Sequence, residues 1–420
     1  MPSSLDDIVR LIEPGMRVLL HAGQAECLAL RERLIADPER AAGVTFVGLF
    51  IPGINGFDYA GLTPTTRVES LFVPAVARES FAAGRHILVP VHYSSFPAYL
   101  ARNPADLAIL HLPPARQGVF SCGIGADLAD GVLRLARKVA VIVNPEIPQT
   151  AGAVALREEE AALVVVHEAP LGLHPSAAGG DAGTEVIARR VADLIEDGDT
   201  VQAGIGRLPA VVLRAITDRR QLRVHAGMLI DEVALLLEAG ALAEARPGEP
   251  PPLFAGITLG SAPVLALAAR PEAAFYGVGL THDVARIAAR PRFAAINSAI
   301  EVDLFGNINC ERVRGRQISG IGGAGDFTCG ARRSQGGRAI FALPSEARSK
   351  AGSISRIVPV LGPGETSIAR ADMDILVTEH GTARLRDLSL DARAEAIMAL
   401  AAPEHRPGLA EAWAQIRAGQ

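Results

Sequence analysis

A chain of 420 residues has room for two to three hydrophobic cores, and 49% hydrophobic with 21% charged residues is the composition of an ordinary globular protein. Disordered and fibrous classes are excluded. Forty-one basic against 46 acidic residues leave a formal net charge of −5, which offers no field for gathering nucleic acid or an anionic membrane surface.

In chain order, a short helix ends at Gly15 and a strand is predicted at Val18–His21. The turn Ala22-Gly23 and a helix-period segment at Cys27–Ile35 follow. Apolar runs of strand length come next at Val44–Phe50, Ile87–Val91, Leu107–Leu112 and Val139–Val143, punctuated by His86, Pro90 and Pro113. Leu171 to Gly183 is small, polar and glycine-rich and reads as a linker. Beyond it the opening pattern returns. Leu11-Ile-Glu-Pro-Gly-Met-Arg-Val18 is echoed by Leu194-Ile-Glu-Asp-Gly-Asp-Thr-Val201, then by a strand (Val201–Ala203), a glycine turn (Gly204-Ile205-Gly206) and a helix-period segment (Ala210–Ile216). Further strands are predicted at Leu222–His225, Phe275–Val278, Phe293–Ile296, Ala339–Leu343, Ile357–Val360 and Ile375–Thr378. Strands alternating with helices predict an α/β fold of two doubly wound, mainly parallel domains related by internal duplication, at residues 1–183 and 184–420.

The longest uncharged stretch, Pro250 to Ala269, is broken by Gly256, Gly260 and Pro263 and suits a buried loop, strand and helix better than a membrane span. The acidic start Leu5-Asp6-Asp7 lacks the positive charge of a secretory signal. Four cysteines without CxxC spacing (Cys27, Cys122, Cys310, Cys329) signal neither a zinc site nor a disulfide framework. A cytoplasmic protein without membrane or nucleic-acid partners is expected. Lysine occurs only at 138 and 350, which leaves Schiff-base chemistry few candidates.

Three Gly-Ile-Gly tripeptides stand at 123–125, 204–206 and 320–322. The last extends through Gly323-Ala324-Gly325-Asp326, formally GxGxxG, but it opens no predicted βαβ unit and no helix-period apolar run follows it, so it makes a poor dinucleotide fingerprint. Tight turns alone would explain such loops; the functional reading is that their bare amides approach a phosphate or a developing oxyanion. Polar residues crowd the same region: Asn297, Glu301, Asp303, Asn307, Asn309 and Glu311, then Asp326, Arg332 and Arg333. A solvated hairpin turning at Phe305-Gly306-Asn307 would also account for 303–311. Two further strand ends carry chemistry: Glu379-His380 after Ile375–Thr378, and His225 before Gly227.

Several segments together resemble the acetyl-CoA hydrolase/transferase family: Asn297-Ser-Ala-Ile-Glu-Val-Asp-Leu-Phe-Gly306, Ser319-Gly-Ile-Gly-Gly-Ala-Gly-Asp-Phe327 and Val377-Thr-Glu-His-Gly-Thr-Ala-Arg-Leu-Arg386. Asp106–Ser121, Val143–Pro148 and Gly204–Pro209 add weaker support. The resemblance spans almost the whole chain. It implies two CoA-transferase-type domains with the site between them, acyl-CoA and a small carboxylic acid as substrates, no tightly bound cofactor or metal, and a homodimer. In such enzymes a glutamate attacks the acyl-CoA carbonyl while glycine-loop amides hold the oxyanion. Carried over, the loops are Gly204-Ile205-Gly206 and Gly320-Ile321-Gly322-Gly323-Ala324, with Gly323 the amide donor, and a second active-site glutamate falls on Glu379.

The departure is at the nucleophile. Similar transferases read His-Thr-Glu-Met where this chain reads His225-Ala226-Gly227-Met228, so Gly227 stands at the glutamate's position. A substrate-contacting Asn aligns with His282, within one residue. Three readings follow. Water or an acceptor carboxylate attacks a thioester directly, with Glu379 or His225 as general base. Alternatively Asp231 or Glu232 replaces the nucleophile, or the chain binds acyl-CoA without chemistry, as a sensor or partner subunit. The first is preferred, because the oxyanion loop and Glu379 are retained.

Overall fold

The computed structural model describes residues 3–176, 179–246, 248–349 and 352–419. Two sheets carry the fold. The first is all parallel, its seven strands in the spatial order Leu163–Val166, Ala136–Val143, Ala105–Leu112, Arg17–Leu20, Thr45–Val47, Arg67–Ser70, His86–Leu88. The second has nine, in the order Gly381–Arg384, Ile375–Thr378, Arg338–Ala342, Phe293–Ser298, Thr200–Ala203, Arg223–Ile230, Leu253–Leu259, Ala273–Phe275, Ala151–Gly152. Only the Gly381–Arg384 strand runs antiparallel to its neighbour there. The fold is therefore α/β with large, mainly parallel sheets. Buried on both faces, the central strands are near-continuous runs of Val, Ile, Leu and Ala, as parallel strands must be.

In both sheets the first strand of the unit lies in the middle. The next three strands build outward on one side and the following three on the other, and the second sheet adds Ala151–Gly152 and Gly381–Arg384 at its two edges. Each echoed segment, Leu11–Val18 and Leu194–Val201, leads into that central strand, an arrangement that duplication of one unit would produce. The halves are stitched together. Ala151–Gly152, from the first half, pairs with Ala274–Phe275 at the edge of the second sheet, and one continuous buried apolar cluster extends from Leu19 to Val377.

Four local expectations change. The strand expected to close at His225 runs on to Ile230, so Gly227 lies inside a strand and the following helix starts at Asp231. Pairing with Leu253–Leu259 through Met228 to Ile230 holds it extended. The loop Gly320–Gly323 does open a helix, Ala324–Arg333, which buries Phe327 and Ala331 despite a face otherwise made of glycine and polar residues. Phe275–Val278 divides into a strand end and a helix start. The supposed linker ends in a capped helix, Ala182–Ala192, whose Asp181 side chain accepts from the Thr184 N–H. Pro250 to Ala269 is a loop, a buried strand and the helix Ala262–Ala268, and no helix among the described residues is long and apolar enough to cross a membrane.

Candidate active site between the sheets

In open parallel sheets a crevice forms where strand order reverses, beyond the carboxyl ends. In the second sheet that point lies between Thr200–Ala203 and Phe293–Ser298, and a cavity of about 240 Å³ opens there. Gln202 to Ile205 and Asn297 to Ile300 form its floor. Ser319 to Ala324 forms one wall, and Ile51, Phe72, Tyr93 and Asp127 of the first half close the other. Gly204, Ile205, Gly227, His282, Gly320, Ile321, Gly322, Gly323 and Ala324 are thus brought together; Gly206 faces an adjoining open cleft that shares Ile205 and is lined by Pro52, His174 and Arg207.

At its centre is a slot cut by two glycines. Ala226 pairs with Ala255 and Met228 with Ile257, which sets Gly227 opposite Gly256. A β-carbon on Gly227 would stand 3.0 Å from His282 Cε1 and 3.1 Å from Nε2; one on Gly256 would overlap Asp127 Oδ1 and stand 2.9 Å from the Gly227 carbonyl oxygen. The space that a side chain at 227 would occupy is therefore taken by the His282 ring, with the Asp127 carboxyl beside it. His282 Nε2 also lies against Gly323, which caps the helix Ala324–Arg333, so a β-carbon at 323 would collide with it.

Tyr93 and Phe327 pack against the His282 ring, with centroids at 4.6 and 4.7 Å. Its Nδ1 lies 2.9 Å from Thr281 Oγ1, which is in turn 3.4 Å from the Gly277 carbonyl oxygen. If the threonine hydroxyl donates onward to that carbonyl, Nδ1–H donates to the threonine and Nε2 keeps its lone pair. Burial, with a smaller contribution from His225, lowers the pKa of His282 to about 3, so the ring is neutral at physiological pH. Asp127 is the carboxyl that lines the cavity. Tyr93 donates its hydroxyl to Oδ2 while Oδ1 is buried without a partner, and burial raises the acid to about 7. No Lys or Arg lines the cavity among the described residues, and Ile51, Phe72, Met228, Ile257, Ile300 and Phe327 make it largely apolar.

Other expected residues lie elsewhere. His225 is fully buried among Phe254, Phe293 and Phe327, with Nε2 2.8 Å from the Thr281 carbonyl oxygen, so it packs the core and does not face the cavity as a base. Glu379 sits at the same carboxyl edge but outside the cavity lining, its carboxylate accepting the Ser345 N–H at 2.8 Å and the Ser345 hydroxyl at 2.7 Å. Asp231 holds the Ser261 N–H and hydroxyl, and Glu232 binds Arg214 and Ser176, so neither replaces a nucleophile. Asp303 ties down its own turn by accepting from Phe305 N, Asn307 N and Asn307 Nδ2, which is the hairpin reading of that polar cluster. Cys310 does line the cavity, but burial pushes its thiol to about 12, so it stays protonated. Sequence reasoning missed Asp127 and Tyr93; the signal near them was Gly123-Ile-Gly125, two residues before the aspartate.

Comparison with known proteins gives this geometry its context. The acetyl-CoA hydrolase/transferase N-terminal domain matches residues 3–171, and the C-terminal domain matches 264–413. The 4-hydroxybutyrate coenzyme A transferase of Clostridium kluyveri is 30% identical over 408 residues, 96% of this chain and 94% of that protein. The succinyl-CoA:acetate/propanoyl-CoA:succinate CoA transferase of Fasciola hepatica is 29% identical over 425 residues, covering 98% and 87%. Among solved structures, RipA from Yersinia pestis superposes with a TM-score of 0.89 at 28% identity, covering 99% of this chain and 97% of that one. The 4-hydroxybutyrate CoA-transferase of Porphyromonas gingivalis gives 0.78 at 26%, covering 100% and 97%. With both domain models matched in order along one chain, this protein belongs to the acetyl-CoA hydrolase/transferase family.

Proposed function

We propose that the chain is an acyl-CoA thioester enzyme that hydrolyses the thioester, or moves its coenzyme A to a small carboxylic acid, in the cavity between the sheets and without a glutamyl-CoA intermediate. The observation that carries this reading is the convergence of Gly227, His282 and the Gly320–Gly323 loop on one apolar cavity at the sheet's switch point. The thioester carbonyl oxygen lies at the loop. There the Gly323 N–H, which has no partner among the described residues, and the positive end of a ten-residue helix stabilise a developing oxyanion. Because Gly227 presents no nucleophile, the attacking oxygen belongs to water or to an acceptor carboxylate. The coenzyme A arm leaves past Ile205 into the cleft lined by Gly206, His174 and Arg207.

A cavity of about 150 Å³ holds benzene, so 240 Å³ suits an acyl group of roughly ten heavy atoms or fewer. The test is incubation with acetyl-, butyryl-, benzoyl- and succinyl-CoA, with and without free carboxylic acids, following thiol release and new CoA esters by mass spectrometry. Either product from any of the four supports the reading. Tight binding with neither product makes the chain an acyl-CoA-binding protein instead.

A further inference from the structure

Resting on that reading, we infer that His282 is the general base of the reaction and that water is the acceptor, which makes the enzyme a hydrolase. The inference stands on placement. His282 Nε2 is the ring atom that lies against both Gly227, where a nucleophile would have to stand, and Gly323, where the oxyanion would be held. No hydrogen bond from the described residues engages Nε2, whereas Nδ1 is tied to Thr281. Tyr93 and Phe327 both pack against the ring, and Asp127 anchors the Tyr93 hydroxyl, which restricts the ring's movement. A carboxylate acceptor carries no proton to be removed and needs no base. A base placed beside the oxyanion loop is useful only when the nucleophile is water.

The step balances. The water oxygen bonds to the thioester carbon as one of its protons passes to Nε2, and the carbonyl π pair moves onto the oxygen held by the Gly323 N–H. When that pair returns, the C–S bond breaks and the departing sulfur takes the proton from Nε2, which gives free thiol and a carboxylic acid. Burial keeps the ring neutral before the step, so its lone pair is available, and the imidazolium exists only between the two transfers. Tyr93 and Asp127 are positioning residues in this step: Tyr93 packs against the ring and Asp127 accepts the Tyr93 hydroxyl hydrogen bond.

The experiment compares wild type, His282→Ala and His282→Asn on the same four thioesters. Binding of a thioether analogue, S-butyl-CoA, is measured alongside by calorimetry. Expected are acceptor-independent thiol release by wild type and a loss of about 10²-fold or more in kcat in both variants, with analogue affinity changed by less than about threefold. Added imidazole should restore part of the His282→Ala rate, which a merely structural role would not allow. Thiol release persisting within about threefold in both variants overturns the assignment. A wild type that forms new esters only when carboxylate is present also overturns it, while leaving the thioester reading intact. A wild type that turns over none of the four overturns both.

Discussion

The slot at Gly227 makes a quantitative claim that a double-mutant cycle can test. In Gly227→Ala the new methyl would stand 3.0 and 3.1 Å from His282 Cε1 and Nε2, where ordinary contacts lie at 3.4–4 Å, so the ring must yield by a few tenths of an ångström. It cannot do so freely, because Tyr93 and Phe327 both pack against it. Replacing glycine by alanine in extended backbone returns about 0.4–1 kcal/mol through the unfolded chain, whereas overpacking costs about 1–3 kcal/mol. The net expectation is a loss of about 1–2 kcal/mol. With His282→Ala the obstacle is gone and only the gain remains, so the coupling between the two sites should be about 1.5–3 kcal/mol. Urea unfolding of the four proteins, followed by the fluorescence of the single tryptophan, Trp413, which is buried in the same half of the chain, gives that number. If Gly227→Ala costs the same in both backgrounds, to within about 0.5 kcal/mol, His282 does not fill the space at 227.

Further outcomes follow from the same geometry. With no Lys or Arg among the described residues that line the cavity, a second carboxylate on the acyl group would be desolvated without a partner, so kcat/KM for succinyl-CoA should fall about 10-fold or more below that for butyryl-CoA; equal values would place a cation in the site. Glu379→Gln should leave kcat within about threefold, because Ser345 holds its carboxylate outside the cavity lining; a loss near 10²-fold would return it to the machinery. Burial lowers His111 to about 4 and His225 and His282 to about 3 from the usual 6.5. The unfolded chain therefore takes up these protons first, and the stability they allow is present above pH 6.5 and lost as pH falls toward 3–4. The slope is about 1.4 kcal/mol per pH unit for each histidine. His225→Phe should reduce the fall in urea midpoint between pH 7 and 5, and an unchanged fall would contradict the burial argument.

Much of this architecture can be read from the residues. The alternation of apolar runs with helical patterns, and the echo of Leu11–Val18 at Leu194–Val201, point to paired parallel sheets because such strands must be apolar on both faces. The glycine loops and the glycine at 227 are also visible, since a missing side chain is a statement about one position. What fills that position is not. His282 and Asp127 reach the slot from 55 residues beyond and 100 residues before Gly227, and nothing local to either marks the meeting. His225 misleads for a related reason: a histidine near a strand end looks available, but the strand continues to Ile230 and the ring is enclosed by three phenylalanines. Glu379 likewise faces Ser345, a partner set by the turn after a neighbouring strand. The loop at 320–323 opens a helix that apolar periodicity does not announce, because Gly325, Asp326, Thr328 and Gly330 are buried on its inner side.

The most direct test of the account is a crystal structure with S-(2-oxoalkyl)-CoA, a thioester analogue whose carbonyl cannot be cleaved. The account predicts its carbonyl oxygen about 2.7–3.1 Å from Gly323 N, with His282 Nε2 on the face of the carbonyl turned toward Gly227. An analogue seated elsewhere, or with its carbonyl turned away from the 320–323 loop, would contradict it.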